Sequence, residues 1–183
     1  MVATRVMTVE DLEMMGEDKG TNLELFDGVP REHPGMSVSH GYLGFRVGGP
    51  LYVHVTKHRL GELFTSDTQF LLARGPDTVV KPDVSFIRAE RMPPPEEHGR
   101  ISRIAPDFAV EIVSPGNRRA EIEDKVRRYQ EAGVPLLWYV APAQRTVTVY
   151  ALGADPVVLG EGDVLDGGEV FPGFTLPVAE IFR

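Results

Sequence analysis

Residues 107–140 read DFAVEIVSPGNRRAEIEDKVRRYQEAGVPLLWYV, and this stretch decides the fold class. Residues 107–113 form a short apolar run that ends at a Ser-Pro-Gly turn, which is typical of a strand. Apolar residues then recur at helical spacing over residues 118–132, and a glycine closes that segment. A second apolar run follows at residues 136–140. The order strand, helix, strand predicts a right-handed crossover in a mixed sheet.

The N-terminal region adds a short helix and a hairpin. Thr8 precedes apolar residues at helical spacing with an aspartate three positions later, a weak capping-box pattern. Gly16 and Gly20 bracket the predicted end of that helix. The Asp27-Gly28 dipeptide is typical of a tight turn between two short strands. The chain is therefore expected to pair two strands before its first long helix.

The rest of the chain completes an α/β (α+β) pattern with a mixed sheet. Ser37 is a candidate N-cap for a long helix whose apolar stripe extends to Val55, with a kink predicted at Gly48-Gly49-Pro50. The tail is predicted to be turn-rich β structure with a short final helix near residues 178–182. The remaining predicted strands are 63–66, 68–73, 84–87 and 147–152.

Length and composition fit one globular domain over residues 1–183. The chain is 42% hydrophobic and 25% charged, enough to form a core without disulfides. It contains no cysteine, which excludes zinc-thiolate sites, iron–sulfur clusters and thiol catalysis. Neither a signal peptide nor a membrane-spanning apolar run is visible, so we expect a cytoplasmic protein that does not bind membranes.

The net charge of −8 bears on possible partners. It argues against a protein that coats nucleic acid through its overall charge. The charge is unevenly distributed, because residues 151–183 carry six acidic side chains against one arginine. We therefore predict an acidic, β-rich C-terminal extension from about residue 151. A local, metal-assisted contact with DNA is compatible with this distribution.

Two carboxylates are placed on predicted strands in a way that suggests chemistry. Strand alternation puts Asp83 on one face of residues 83–87. In residues 107–113, alternation puts Glu111 on a face with apolar neighbours, where an unpaired carboxylate would be costly to bury. Glu111 therefore needs a partner, and a metal ion is one candidate. The alternative for Asp83 is a strand-initiating residue that bonds to a turn amide.

The helix at residues 118–132 offers a second partner. On a helical wheel, Lys125 lies about 60° from Ile122, at the inward shoulder of the core stripe. From there it can extend back toward Glu111, although a lysine whose stem covers the helix surface is an equal alternative. Arg118, about 40° from Ile122, could line the same site. His40, near the start of the long helix, is either a packed structural residue or a substrate-binding one.

Two acids and a lysine on one side of a sheet suit phosphodiester hydrolysis. Carboxylate oxygens hold Mg²⁺ or Mn²⁺, and a carbonyl such as that of Ile112 could complete a third protein contact. The metal would polarise a phosphoryl oxygen and lower the pKa of an attacking water, and the lysine would stabilise developing charge. The sequence thus predicts Asp83, Glu111 and Ile112 as metal ligands, with Lys125 beside them.

These residues also carry a family resemblance that extends from about residue 8 to the end of the chain. The matching stretches are KPDVSFI at 81–87, APDFAVEIVSP at 105–115, DK at 124–125 with Tyr129, GV at 133–134, LWYV at 137–140, ELFDG at 24–28 and SH at 39–40. Together they resemble the Uma-two family of putative restriction endonucleases. The resemblance implies the restriction-endonuclease-like fold of the PD-(D/E)XK nuclease superfamily, a mixed central sheet flanked by helices on both sides.

The same resemblance implies roles for individual residues. Asp83 matches the Pro-Asp metal ligand and Glu111 the second acid, whereas the lysine expected two positions later is Val113. Members with that departure are thought to supply the lysine from the following helix, and Lys125 matches. Glu24 resembles an additional N-terminal acid, although it could instead pair with a basic side chain of the long helix.

The predicted function is a divalent-metal-dependent endonuclease with DNA as substrate and Mg²⁺ or Mn²⁺ as cofactor. A homodimer would allow both strands to be cut. The alternative is a nuclease-fold module with weak or absent catalysis that acts in nucleic-acid binding or protein assembly, which the missing lysine at Val113 and the net charge of −8 both motivate. A third, weaker alternative is a metal-dependent phosphohydrolase that acts on small substrates.

Overall fold

The computed structural model of the chain describes residues 6–15, 23–32, 37–114 and 116–183. The helices are α1 (Val9–Met14), α2 (Val38–His58), α3 (Arg119–Glu131) and α4 (Val178–Ile181), with 3₁₀ turns at Ala89–Arg91 and Pro95–Glu97. The strands are β1 (Leu23–Phe26), β2 (Val29–Glu32), β3 (Gly61–Thr65), β4 (Phe70–Ala73), β5 (Thr78–Val80), β6 (Val84–Arg88), β7 (Phe108–Ile112), β8 (Leu136–Ala141), β9 (Thr146–Ala151), β10 (Val157–Leu159), β11 (Val164–Asp166) and β12 (Thr175–Pro177).

The main sheet has the strand order β10-β9-β8-β7-β6-β3. Strands β7 and β8 pair in parallel, and the other neighbours pair antiparallel. Helix α3 connects the two parallel strands, which confirms the predicted strand, helix, strand unit. The mixed sheet with flanking helices confirms the predicted fold class. Strand β3 lies at one edge of this sheet.

A second sheet has the strand order β2-β1-β5-β4 and contains the N-terminal hairpin, β1 and β2. The hairpin forms at the predicted Asp27-Gly28 turn, where both residues have positive φ. Strand β5 was not predicted, because only four residues separate its flanking Gly-Pro and Lys-Pro turn signals. Its pairing with β1 fixes the hairpin to the rest of the sheet. The predicted helix ends at Gly16 and Gly20 fall outside the described residues.

Helix α2 begins after its predicted cap, with the Ser37 hydroxyl accepting the backbone N–H of His40. The helix runs through residues 48–50 without a break, although Pro50 lacks an amide hydrogen. Its buried stripe continues on both sides of the proline and packs on the main sheet. Burial of Leu43, Val47, Leu51 and Val55 therefore holds both halves of the helix against one core.

Alternate residues of the central strands face two separate cores, as the period-two pattern predicted. Val84 and Phe86 face the core beneath α2, whereas Ile87 and Ala109 face the core beneath α3. The C-terminal residues pack on the first core through a buried set comprising Leu165, Val170, Phe171, Phe174 and Leu176. Among the described helices, none is both long and apolar enough to cross a membrane.

Candidate active site

Asp83 lies immediately before β6, and the neighbouring strand fixes its carboxylate. The Asp83 backbone N–H donates to the Val110 carbonyl at 2.9 Å, and the Ile112 backbone N–H donates to Asp83 Oδ2 at 2.7 Å. His40 Nε2, from the first turn of α2, lies 3.2 Å from each carboxylate oxygen. Asp83 Oδ1 is nevertheless buried and accepts no hydrogen bond from any described residue. The Asp83 carboxylate is thus held by one backbone N–H, with the His40 ring beside both of its oxygens.

Glu111 lies within β7 and is only 7% exposed. Helix α3 provides both of its side-chain partners. Lys125 Nζ donates to Glu111 Oε2 at 2.8 Å, and the Tyr129 hydroxyl donates to Oε1 at 2.6 Å. Lys125 and Tyr129 are four residues apart and so lie on the same helix face. One face of α3 thus holds the Glu111 carboxylate at both oxygens.

Glu24 brings a third carboxylate from the second sheet. Its Oε1 lies 2.9 Å from Lys125 Nζ and accepts the backbone N–H of Lys81 at 2.8 Å. Lys125 therefore bridges two acids, Glu24 and Glu111, which come from different sheets. Since Lys81 precedes Asp83 by two residues, the chain segment that carries Asp83 also holds Glu24 in place.

The electrostatics follow from burial and from the excess of acids. Burial raises the pKa of Glu111 to about 7; Lys125 opposes this shift, and the nearby Glu24 and Asp83 charges reinforce it. Burial would lower the pKa of Lys125, but the Glu111 and Glu24 carboxylates raise it above its usual range. The lysine therefore stays charged. The hydrogen bond with Asp83 raises the pKa of His40 against the opposing effect of burial.

An open cavity of about 220 Å³ connects these groups. Its lining includes Glu24, His40, Asp83, Glu111, Ile112 and Lys125. Six of the seven residues predicted for the site therefore surround one space. Arg118 is the exception, because it is exposed at the N-terminus of α3 and is not part of the lining. Its predicted contact with substrate stays a prediction.

Comparison with protein families assigns the chain to one of them. A model of the Uma2 family, described as "Putative restriction endonuclease", matches residues 8–179. The chain belongs to the Uma2 family. No curated protein matches it significantly.

A solved structure shares the fold of this Uma2 chain. It is described as a putative nuclease belonging to DUF820 from Anabaena variabilis ATCC 29413. The two superpose with a TM-score of 0.82 at 20% identity, over 96% of this chain and 97% of that one. The agreement therefore extends over nearly the full length of both chains.

Two residues of the Uma2 site were missed from the sequence. Tyr129 was assigned to the core stripe of its helix, yet its hydroxyl bonds to Glu111. Its position one turn after Lys125 was the available signal. Arg31 lines the cavity from β2, and its guanidinium lies 4.3 Å from the centre of the Phe26 ring. Nothing in the sequence of the hairpin distinguishes this arginine from an ordinary surface residue.

The residues that line the cavity decide whether a divalent metal ion could bind there. Among the described residues, no group of three or more histidine, aspartate or glutamate side chains is placed to hold one. Mg²⁺ is usually bound by one or two carboxylates, with water and substrate phosphate as further ligands. Asp83 and Glu111 supply two carboxylates to this cavity. Five acidic side chains line the cavity against two basic ones, Arg31 and Lys125, so the residue types of this site suit such an ion.

Proposed function

We propose that this protein is a divalent-metal-dependent endonuclease that hydrolyses phosphodiester bonds in DNA. One observation carries the proposal: Lys125 lies between Glu24 and Glu111, in the same cavity as Asp83. A buried cation among acids, open to a cavity, suits the stabilisation of charge on a phosphoryl group. The family match supports nuclease chemistry.

In this proposal Asp83, Glu111 and the Ile112 carbonyl hold Mg²⁺ or Mn²⁺. When bound, the ion would polarise the phosphoryl oxygen and lower the pKa of a water molecule. The His40 and Ile112 contacts orient the Asp83 carboxylate. Lys125 and Tyr129 orient the Glu111 carboxylate, each through one of its oxygens.

Lys125 acts in the proposal as a fixed positive charge. Because its pKa is raised by two carboxylates, it stays protonated and stabilises the charge that develops on the phosphate. Glu24 keeps the ammonium group in position. His40 and Arg118 would contact the phosphate backbone of the substrate, His40 within the cavity and Arg118 on the exposed end of α3.

Cleavage of supercoiled plasmid DNA with Mg²⁺ or Mn²⁺ tests the proposal. We expect nicked and linear products from the native protein and at least a hundredfold lower rate from Asp83→Asn and Glu111→Gln. Asp107→Asn is a matched control, since Asp107 is a buried acid next to β7 that pairs with Arg91 and does not line the cavity. Cleavage that survives both site substitutions would overturn the proposal.

A second candidate is a nuclease-fold module without catalysis, which acts in nucleic-acid binding or protein assembly. The observation that favours it is the occupation of both Glu111 oxygens by protein donors. Calorimetric titration with Mn²⁺ distinguishes the two. Binding that Glu111→Gln abolishes supports the enzyme, whereas no binding to the native protein supports the module.

The proposal extends to assembly and location. Two copies of the chain would present one site to each DNA strand. The proposal therefore includes a homodimer. Sedimentation velocity tests this directly. A cytoplasmic location would give the enzyme access to DNA. Fluorescent tagging of the protein in its own cells tests that part.

A further inference from the structure

A second cavity of about 600 Å³ adjoins the first, between helix α2 and the edge strand β3. His40 and Asp83 line both cavities. These two residues therefore lie where the two spaces meet. We call this second cavity the α2–β3 groove. It shares His40 and Asp83 with the first cavity, which we call the carboxylate site.

Glycines form the helical side of the α2–β3 groove. A Cβ at Gly44 would lie 3.8 Å from Ile112 Cδ1, and a Cβ at Gly48 would lie 3.6 Å from a Val84 methyl. The absence of side chains lets α2 pack close to β6 and β7. At Gly41 a Cβ would meet nothing within 4 Å, so that position borders open space.

Aromatic side chains form the rim of the groove. Phe45 is 77% exposed and Tyr52 is 59% exposed, and both line the groove. The Phe45 ring lies against its own helix, within 3.7 Å of where a Gly49 Cβ would be. Large aromatic faces left open to solvent beside a cavity mark binding surfaces. The ring faces suit flat, aromatic ligands.

We propose that the α2–β3 groove binds unpaired nucleobases next to the phosphodiester at the carboxylate site, so that the preferred substrate is single-stranded or locally melted DNA. The inference rests on the proposed nuclease function. A base stacks on an aromatic face without regard to sequence, and such stacking supplies affinity that does not depend on net charge. Stacking is therefore important for this chain, because its net charge of −8 repels the phosphates of DNA.

The position of the groove favours a nucleic acid over a second copy of the chain. A copy seated in the groove would lie against His40 and Asp83, which also line the carboxylate cavity. It would then obstruct the site that a substrate must enter. A DNA strand that spans both cavities would instead leave the site open to reaction. Its phosphate would lie at Asp83, which both cavities share, and its neighbouring base would lie at the aromatic rim.

The experiment uses a single-stranded oligonucleotide that contains 2-aminopurine, with the native protein in EDTA so that no cleavage occurs. Stacking on an aromatic ring quenches 2-aminopurine, and the titration gives the affinity. We expect quenching, with weaker binding of the matching duplex. Phe45→Ala and Tyr52→Ala should each weaken binding roughly 5- to 100-fold. Both side chains are mostly exposed, so folding should be retained.

Tyr42→Ala is the matched control, because Tyr42 is 48% exposed on the same helix but does not line the groove. Its affinity should stay within twofold of the native value. Gly41→Leu should fill the groove and abolish quenching without loss of thermal stability, since leucine is a better helix former than glycine. Equal losses for Tyr42→Ala and Phe45→Ala, or binding without quenching, would overturn the inference.

The remaining outcomes separate this inference from the nuclease proposal. Quenching and its loss in Phe45→Ala, without any cleavage in Mn²⁺, would support the groove and reject the endonuclease. Cleavage that depends on Glu111 but is unchanged by Phe45→Ala and Tyr52→Ala would keep the endonuclease and reject the groove. If both substitutions convert a sedimenting dimer to a monomer and leave DNA binding intact, the groove is a subunit interface and the inference fails.

Discussion

Lys125 Nζ lies 2.8 Å from Glu111 Oε2, with the lysine on helix α3 and the glutamate on strand β7. Val113, two positions after Glu111, packs instead against the apolar core. The helix therefore provides the cation that the strand lacks. This contact also determines the charges at the site, because the buried Glu111 carboxylate and Lys125 ammonium each stabilise the charged form of the other.

Replacement of Lys125 by methionine should destabilise the protein in a pH-dependent way. The variant leaves Glu111 buried without its cation, which costs on the order of 3 kcal/mol when the carboxylate is ionised. The Glu111 pKa, already about 7, should rise further. The penalty should thus be larger at pH 8 than at pH 6, where the carboxyl group takes up a proton. Urea unfolding at both pH values measures it.

The double variant Glu111→Gln/Lys125→Met tests whether the penalty comes from this pair. It should be more stable at pH 8 than Lys125→Met alone, because no buried charge is left unpaired at position 111. Equal unfolding free energies for the single and double variants would show that the pair is not coupled.

Tyr129→Phe should change the acidity of Glu111. Loss of the hydroxyl leaves Glu111 Oε1 without its donor and should cost about 1–3 kcal/mol in unfolding free energy. The ionised carboxylate loses more than the neutral acid, so the Glu111 pKa should rise. Tyr139→Phe is the control, since Tyr139 lines the cavity but donates no hydrogen bond to Glu111. An unchanged Glu111 titration in Tyr129→Phe would contradict this reading.

Mn²⁺ affinity should increase with pH through neutrality. A metal ligand must be ionised, and the pKa of Glu111 lies at about 7. Below that value each pH unit should weaken binding roughly tenfold, because one proton is displaced. Calorimetry at pH 6, 7 and 8 measures the dependence. Affinity that stays constant over this range would exclude Glu111 as a titrating ligand.

His40 should titrate above its usual value of 6.5, and Asp83→Asn should lower that pKa. Because the folded-state pKa is raised, the His40–Asp83 contact stabilises the fold fully below pH 6.5 and loses that effect as pH rises through the folded pKa. NMR titration of the His40 imidazole measures both values. A His40 pKa that is the same in the native protein and in Asp83→Asn would count against the hydrogen bond.

Arg128→Lys should loosen the hairpin that carries Glu24. The Arg128 guanidinium binds both oxygens of Asp27, at 2.9 and 2.6 Å, and lysine cannot reproduce this bidentate pair. We expect a loss of about 1–3 kcal/mol in unfolding free energy, with weaker Mn²⁺ binding. Arg127→Lys, on the exposed side of α3, should cost less than about 1 kcal/mol. Equal losses of unfolding free energy in the two variants would show that the Arg128–Asp27 contact stabilises the protein no more than an exposed ion pair does.

The local elements were predictable because their signals lie close together in the chain. The strand alternation around Asp83 and Glu111 and the helical stripe around Tyr129 each depend on neighbours within one or two turns. The residues predicted to share a face with each acid, Ile87 with Asp83 and Ala109 with Glu111, lie in the core beneath α3. Lys125 was placed on the inward shoulder of α3 for the same reason. The family resemblance added Glu24, which no local pattern singles out.

The joining of those elements depended on contacts between distant parts of the chain. Strand β5, only three residues long, becomes a strand because it pairs with β1. Glu24 reaches Lys125 because that pairing and the Arg128–Asp27 contact hold the hairpin beside α3.

The sequence by itself determined the order of strands and helices, the buried faces and the residue types of the site, since periodicity encodes them. Only the tertiary structure decided that one lysine bridges two acids from separate sheets, that Tyr129 holds Glu111, and that Arg118 stays outside the cavity. Burial of charged groups favours partners within hydrogen-bond distance. Which residues become those partners is decided only by the way the two sheets pack together.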